Sequence, residues 1–119
     1  ARNAGQYDIG QAGWNGDYND PMAFLEMWAS WGTSIRYSGW SEERAAEYDQ
    51  ILSKLDTVAD PMERVEIYAE AEEWVVCYEV AAIPYMYTDN ILCISNKIKD
   101  VVTPFVGPYF DFTHAYMVE

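Results

Sequence analysis

Two stretches of this chain carry a helical period. Ala45, Tyr48, Leu52, Leu55 and Ala59 recur at three- and four-residue spacing, with Ile51 and Val58 widening the stripe, and this predicts an amphipathic helix packed on one face. Ser41 followed by Glu42 and Glu43 supplies its start, a hydroxyl cap and then negative charge where the helix dipole favours it. A second helix is predicted from Asp60-Pro61, with Glu63 completing a capping-box arrangement and Val65, Tyr68, Ala69, Val75 and Val76 marking its apolar side. Glu72 falls near that same side, as a partly buried carboxylate or as an edge residue. Upstream, Asp20-Pro21 opens a first helix on the same logic. Phe24, Met27 or Trp28, and Trp31 give it an aromatic face, with Phe24 and Leu25 in the core. Gly32 to Gly39 reads as a loop.

From Ala81 the period changes. Pro84 stops the helix, and Ile83 to Met86 with Ile91 to Ile94 predict two short strands joined by Thr88-Asp89-Asn90 as a hairpin. Pro104, Gly107 and Pro108 make residues 101–109 a surface connection, and Phe110 to Val118 predicts a last strand containing His114. Near the N-terminus, Tyr7 to Ala12 predicts a strand feeding a turn-rich segment that ends at Pro21. The fold class is therefore α/β in the mixed α+β sense, about three helices followed by short strands.

Composition narrows the function classes. The chain has 119 residues, half of them hydrophobic, which suits one modest folded domain. Twenty acidic against seven basic residues give a formal charge of −13, which repels phosphates and excludes a nucleic-acid surface. A solvated acidic face accounts for most of that charge. No apolar run is long enough to span a bilayer, and residues 1–7 lack the basic start and apolar centre of a signal peptide. Ten Tyr, five Trp and four Phe suit either a core or a wet binding cleft. Cys77 and Cys93 sit among apolar neighbours and read as two unpaired, buried thiols with no metal-site spacing.

Catalytic constellations are weak. Asp17 with Asp20 or Glu26 offers the carboxylate pair of a glycosidase, but an acidic chain offers such pairs by chance. His114 is the sole histidine and no nucleophile motif accompanies it, so it reads as a structural group. A calcium loop starting at Asp17 fails, because Pro21, Met22 and Trp28 occupy the positions that need a ligand, a glycine and a bidentate glutamate. The residues thus predict no enzyme, no metal and no cofactor.

The segment Gly13-Trp14-Asn15-Gly16-Asp17-Tyr18-Asn19-Asp20-Pro21, followed by Phe24-Leu25, resembles the Gly-Trp-x-x-Asp-Tyr-x-x-Pro-x-x-Phe-Leu segment of the oligopeptide-binding proteins of ABC importers, solute-binding protein family 5. Tyr48-Asp49 with Ile51-Leu52, Asp60 to Arg64 leading into Tyr68 and Ala71-Glu72, Ile83-Pro84-Tyr85, and Asp111-Phe112 with Ala115-Tyr116 resemble the same family in the same order. Without this resemblance, a strand end and a helix cap would be the simpler reading of the Gly13–Pro21 segment.

The resemblance implies a C-terminal fragment of a two-lobed periplasmic-binding-protein-like fold. Residues 1–82 would form part of the C-terminal ligand-binding lobe, and 83–119 would return towards the N-terminal lobe. It also implies an exported protein, periplasmic or a cell-surface lipoprotein, whose leader or lipid-anchoring cysteine would lie in a preceding part. The implied partners are a peptide ligand and membrane permease subunits. Asp17 takes the position of the aspartate that pairs with a peptide's N-terminal ammonium, Gly13 to Asn15 that of the main chain bonded to the ligand backbone, and Trp14 that of a side-chain pocket wall, with Tyr18 beside them. Gln11 stands where some members carry an arginine for the ligand's carboxylate, so recognition of that end is left open. Arg36, Tyr37 and Trp40 lie in a segment that crosses near the cleft in the family. Relatives that bind dipeptides, nickel complexes, haem or sugars share the fold, so the solute stays open at this point. The alternative from another class is an acidic, aromatic-rich interaction module. Exposed apolar surface on the excised chain would also favour self-association.

Overall fold

Ser41 takes extended backbone angles and its hydroxyl accepts from the Arg44 N–H, so the chain turns into α3, Glu42–Ser53, where the capping pattern placed it. Asp60 does the same for α4, Pro61–Glu73: its carboxylate accepts from the N–H groups of Met62 (2.8 Å) and Glu63 (3.1 Å), and Pro61 occupies the first helical position. Before these come two helices of four residues each, α1 (Met22–Leu25) and α2 (Ile35–Ser38). Single-turn 3₁₀ segments, Glu26–Trp28 and Lys54–Asp56, extend α1 and α3. The computed structural model describes residues 7–89 and 91–119, and these separate into two compact units.

The first unit holds Pro21–Pro84 and the described residues up to Asn15. Its core is Leu25, Ala29, Tyr48, Ile51, Leu52, Leu55, Ile67, Ala71 and Val75, gathered from α1, α3 and α4. The α3 stripe is buried as its period predicts, except that Ala59 beyond the helix is exposed. Along α4 and the turn that continues it the buried line is Ile67, Ala71 and Val75, with Tyr68 and Val76 packed against the core, whereas Val65 and Ala69 face solvent. Apolar residues occupy both sides of this helix, and the side bearing Ala71, fully buried, is the one that packs on α3. Glu72 is exposed, an edge residue.

The connection between α3 and α4 is pinned by Arg64, which donates to the carbonyls of Leu55 (2.9 Å) and Val58 (3.1 Å) and to the Tyr68 hydroxyl (2.8 Å). Each of those carbonyls lies past the end of α3 and needs a donor from outside the helix. Lys54 pairs with Glu70 across the same two helices at 2.6 Å, an exposed pair of small energetic weight.

Around α1 the aromatic expectation is corrected. Leu25 is buried, but Phe24 is half-exposed and Trp31 mostly exposed, because α1 ends after four residues and the chain tightens into 3₁₀ geometry instead of continuing the period. Pro21 stands at the cap position rather than in the first turn, and no side chain caps it. Gly32 is required where it stands: a Cβ there would collide with the Glu26 and Met27 carbonyl oxygens. The loop expected over 32–39 contains α2, closed by Gly39 in the left-handed conformation, φ 74°. Trp40 packs on the core, its ring 5.3 Å from that of Tyr48 and 6.4 Å from that of Trp28.

α4 runs into a wider π-helical turn, Trp74–Tyr78, and the helix ends there, with Val80 in a left-handed conformation at φ 48°, well before Pro84. The two strands expected over 83–86 and 91–94 are absent; the described residues there are irregular, and Ile83, Tyr85, Met86 and Ile91 are exposed. Asn90 of the expected hairpin turn lies outside the described residues. Tyr7 to Ala12 is likewise irregular, with Ile9 exposed. A strand exists only through pairing, and β-branched residues do not create one without a partner edge.

The second unit comprises Gly16–Asp20 and Tyr85–Glu119. Pairing is confined, among the described residues, to its C-terminal part: β1 (Ile98–Lys99) runs antiparallel to β2 (Tyr116–Met117), with Ile98 opposite Met117 and Lys99 opposite Tyr116. Farther along the same two arms Val102 and Asp111 exchange both backbone hydrogen bonds, and Val118 donates to Lys97. The last strand is thus two residues long rather than nine, and His114 lies in the turn before it. The Asp111 carboxylate accepts from the N–H and hydroxyl of Thr113, which holds it below the usual carboxylate range. Four α-helices and one small antiparallel sheet among the described residues make a mixed helix-and-strand structure, compatible with a piece of an α/β protein.

Candidate functional site

The residues singled out by sequence fall on both units. Gln11, Gly13, Trp14 and Asn15 belong to the first, Asp17 and Tyr18 to the second. All six are exposed, in coil over 11–16 and in bends from Asp17 to Asp20. This is loop backbone, the place where main-chain and side-chain groups can both face a ligand.

Within the first unit, Trp14 is the best-defined of them. Its Nε1–H donates to the Ala23 carbonyl of α1 at 2.8 Å, so the indole is turned with its polar edge towards protein. Gly13 next to it has open space where a Cβ would stand. Asp17 makes no ion pair with another described residue. In the second unit the Asp20 N–H donates to the Tyr18 carbonyl at 3.0 Å, tightening the bend that carries both.

The described residues also form two surface depressions. One, about 230 Å³, is lined by Ala69, Glu72, Glu73, Val76 and Cys77 on the first unit. The other, about 280 Å³, is lined by Ile98, Phe112, Ala115, Tyr116 and Met117 on the second. None of the six sequence-chosen residues lines either. Among the described residues no three His, Cys, Asp or Glu side chains converge as a metal site requires, and no helix is long and apolar enough to cross a membrane. Cys77 and Cys93 are both free, and the expectation of burial is corrected: each is exposed, because the helix that carries Cys77 presents its other side to the core and the strand meant to bury Cys93 does not form.

Sequence reasoning missed the part that Tyr48 plays near the site. Its hydroxyl, fully buried, donates to the Leu25 carbonyl at 2.9 Å, two residues along α1 from the carbonyl that Trp14 engages. Burial, and next the charge of Asp49, push the Tyr48 hydroxyl's pKa well above its ordinary value. A tyrosine in an otherwise aliphatic stripe was the available signal, since a buried phenol needs a partner.

Comparison with known proteins adds what the geometry does not. Over 110 residues, 92% of the chain, it is 33% identical to the oligopeptide-binding protein OppA of Bacillus subtilis. The chain resembles oligopeptide-binding proteins. The periplasmic oligopeptide-binding protein OppA of Salmonella typhimurium is 30% identical over 108 residues, and the dipeptide-binding protein DppE of Bacillus subtilis 29% over 110. The chain spans about one fifth of the length of these peptide-binding relatives, 18–19%. No family model matches it.

Proposed function

We propose that this chain is part of the peptide-holding wall of an extracytoplasmic solute-binding protein that delivers peptides to an ABC permease. The observation that carries the reading is the similarity to oligopeptide-binding proteins across 92% of the chain. The names of its relatives specify oligopeptides and dipeptides, which favours a peptide over a sugar or a nickel complex. Residues 1–82 would belong to the ligand-binding lobe and 83–119 to the return towards the other lobe, the whole acting as a binder and not as an enzyme.

The chemistry assigned to the Gly13–Tyr18 stretch follows from what every free peptide shares. Its N-terminal ammonium needs a carboxylate when desolvated, and Asp17 supplies an exposed one. Its backbone needs donors and acceptors in extended register, which Gly13, Trp14 and Asn15 supply regardless of side chains. Tyr18 would flank the ammonium site and Trp14 a side-chain pocket, while water filling the remaining pocket volume would tolerate many side chains. Gln11, neutral, would meet the ligand's far end without an ion pair.

The test uses the longer protein that contains this chain. Mass spectrometry of material purified from cells should find co-purified peptides. Calorimetry should show that Asp17→Asn weakens free peptides by about 2–5 kcal/mol, the usual cost of stranding a buried charge. Equal binding of free and N-acetylated peptides by the unmodified protein would remove Asp17 from the role given to it.

A further inference from the structure

Two hydrogen bonds meet on α1, one from a residue before it in the chain and one from a residue after it. The Trp14 indole N–H reaches the Ala23 carbonyl at 2.8 Å and the Tyr48 hydroxyl reaches the Leu25 carbonyl at 2.9 Å. A helix of only four residues leaves its carbonyls short of intrahelical donors, so side chains from elsewhere satisfy them. Tyr48 is fixed at its own end: it is fully buried on α3 and its ring packs against Trp40. The result is a continuous tie from the core of α3, through α1, to the loop of Gly13, Trp14 and Asn15. That loop is exposed coil, with open space beside Gly13.

The Trp14 N–H is engaged by protein while the residue stays 40% exposed. We infer that Trp14 and Tyr48 are positioning residues, which set the place of the Gly13–Asn15 main chain for a ligand backbone through the α1 carbonyls of Ala23 and Leu25. The inference rests on the proposed reading for what the loop holds, and on the two hydrogen bonds for how the loop is held. Because the tie acts on main chain, it affects every peptide alike, and this separates it from a pocket wall, which discriminates among ligand side chains.

Two measurements decide it. In the ¹⁵N-labelled 119-residue chain, the backbone order of Gly13, Trp14 and Asn15 from heteronuclear NOEs should fall in Trp14→Phe, which keeps an aromatic ring and removes the donor, and in Tyr48→Phe. Trp14 lies at the surface, so its variant tests the tie even if Tyr48→Phe unfolds. In the longer protein, Trp14→Phe should weaken a panel of peptides with different side chains by one common factor, roughly three- to tenfold for the loss of one hydrogen bond. Unchanged loop order in Trp14→Phe, or a loss that varies with ligand side chain at unchanged loop order, overturns the inference. If the longer protein binds no peptide, the proposed function fails, and the loop-order measurement alone decides whether the tie exists.

Discussion

Tyr48→Phe removes one oxygen from the centre of the first unit and nothing else. The Phe ring keeps the apolar burial and the contact with Trp40, so no cavity opens and the large-to-small penalty does not apply. What is lost is the donor to the Leu25 carbonyl, in a residue that is itself 8% exposed. Leaving a buried acceptor unsatisfied costs about 1–3 kcal/mol. With a urea slope of roughly 2 kcal/mol per molar, the midpoint should fall by about 0.5–1.5 M at unchanged slope. Far-UV circular dichroism at 222 nm reads this, since the long helices lie in the first unit.

The same substitution carries a pH signature. Burial, aided by Asp49, raises the Tyr48 pKa above its ordinary 10.0, so the folded state holds the phenolic proton more tightly than the unfolded chain does. That contribution to stability is full below pH 10 and is lost as pH climbs from 10 towards the raised folded-state value. The variant lacks this limb, and the remaining tyrosines titrate in both proteins. The stability gap between wild type and variant should therefore narrow above pH 10. A gap under about 0.3 kcal/mol at pH 7 would refute the hydrogen-bond account, and a gap unchanged from pH 8 to pH 11 would refute the burial of the phenol.

Asp60→Ala should destabilise the helical unit by about 1 kcal/mol by urea unfolding, while Asp60→Asn, which keeps an acceptor for the Met62 and Glu63 N–H groups, should lose much less. Leu52→Ala, at a residue 2% exposed, should cost about 2–5 kcal/mol, whereas Phe24→Ala, half-exposed, should stay within about 1 kcal/mol; equal losses would contradict the assigned core.

The contrast between Leu52 and Phe24 shows where local pattern suffices. α3 and α4 were legible because their caps are local chemistry: Ser41 and Asp60 bond to N–H groups two or three residues away, so the signal and its cause lie in one short stretch. The face of α4 was legible only in part: Tyr68, Val75 and Val76 pack with the core, but Val65 and Ala69 compete with Ile67 and Ala71, and only packing against α3 chooses between them. The strands over 83–94 were overread for a related reason. Apolar β-branched residues describe a surface that suits a sheet, but pairing is a property of two segments, and a single run does not name its partner. At the candidate site, the identities of Trp14 and Asp17 came from a motif, whereas the tie through Ala23 and Leu25 connects residues 9 and 23 positions apart and no local pattern announces it.

The two exposed cysteines divide evenly, Cys77 on the first unit and Cys93 on the second, and the sequence contains no others. The unmutated chain is thus already equipped for a spectroscopic ruler. A nitroxide on each thiol turns the pair into a distance gauge from one unit to the other, read by pulsed electron resonance, and the same two handles serve before and after a peptide is added.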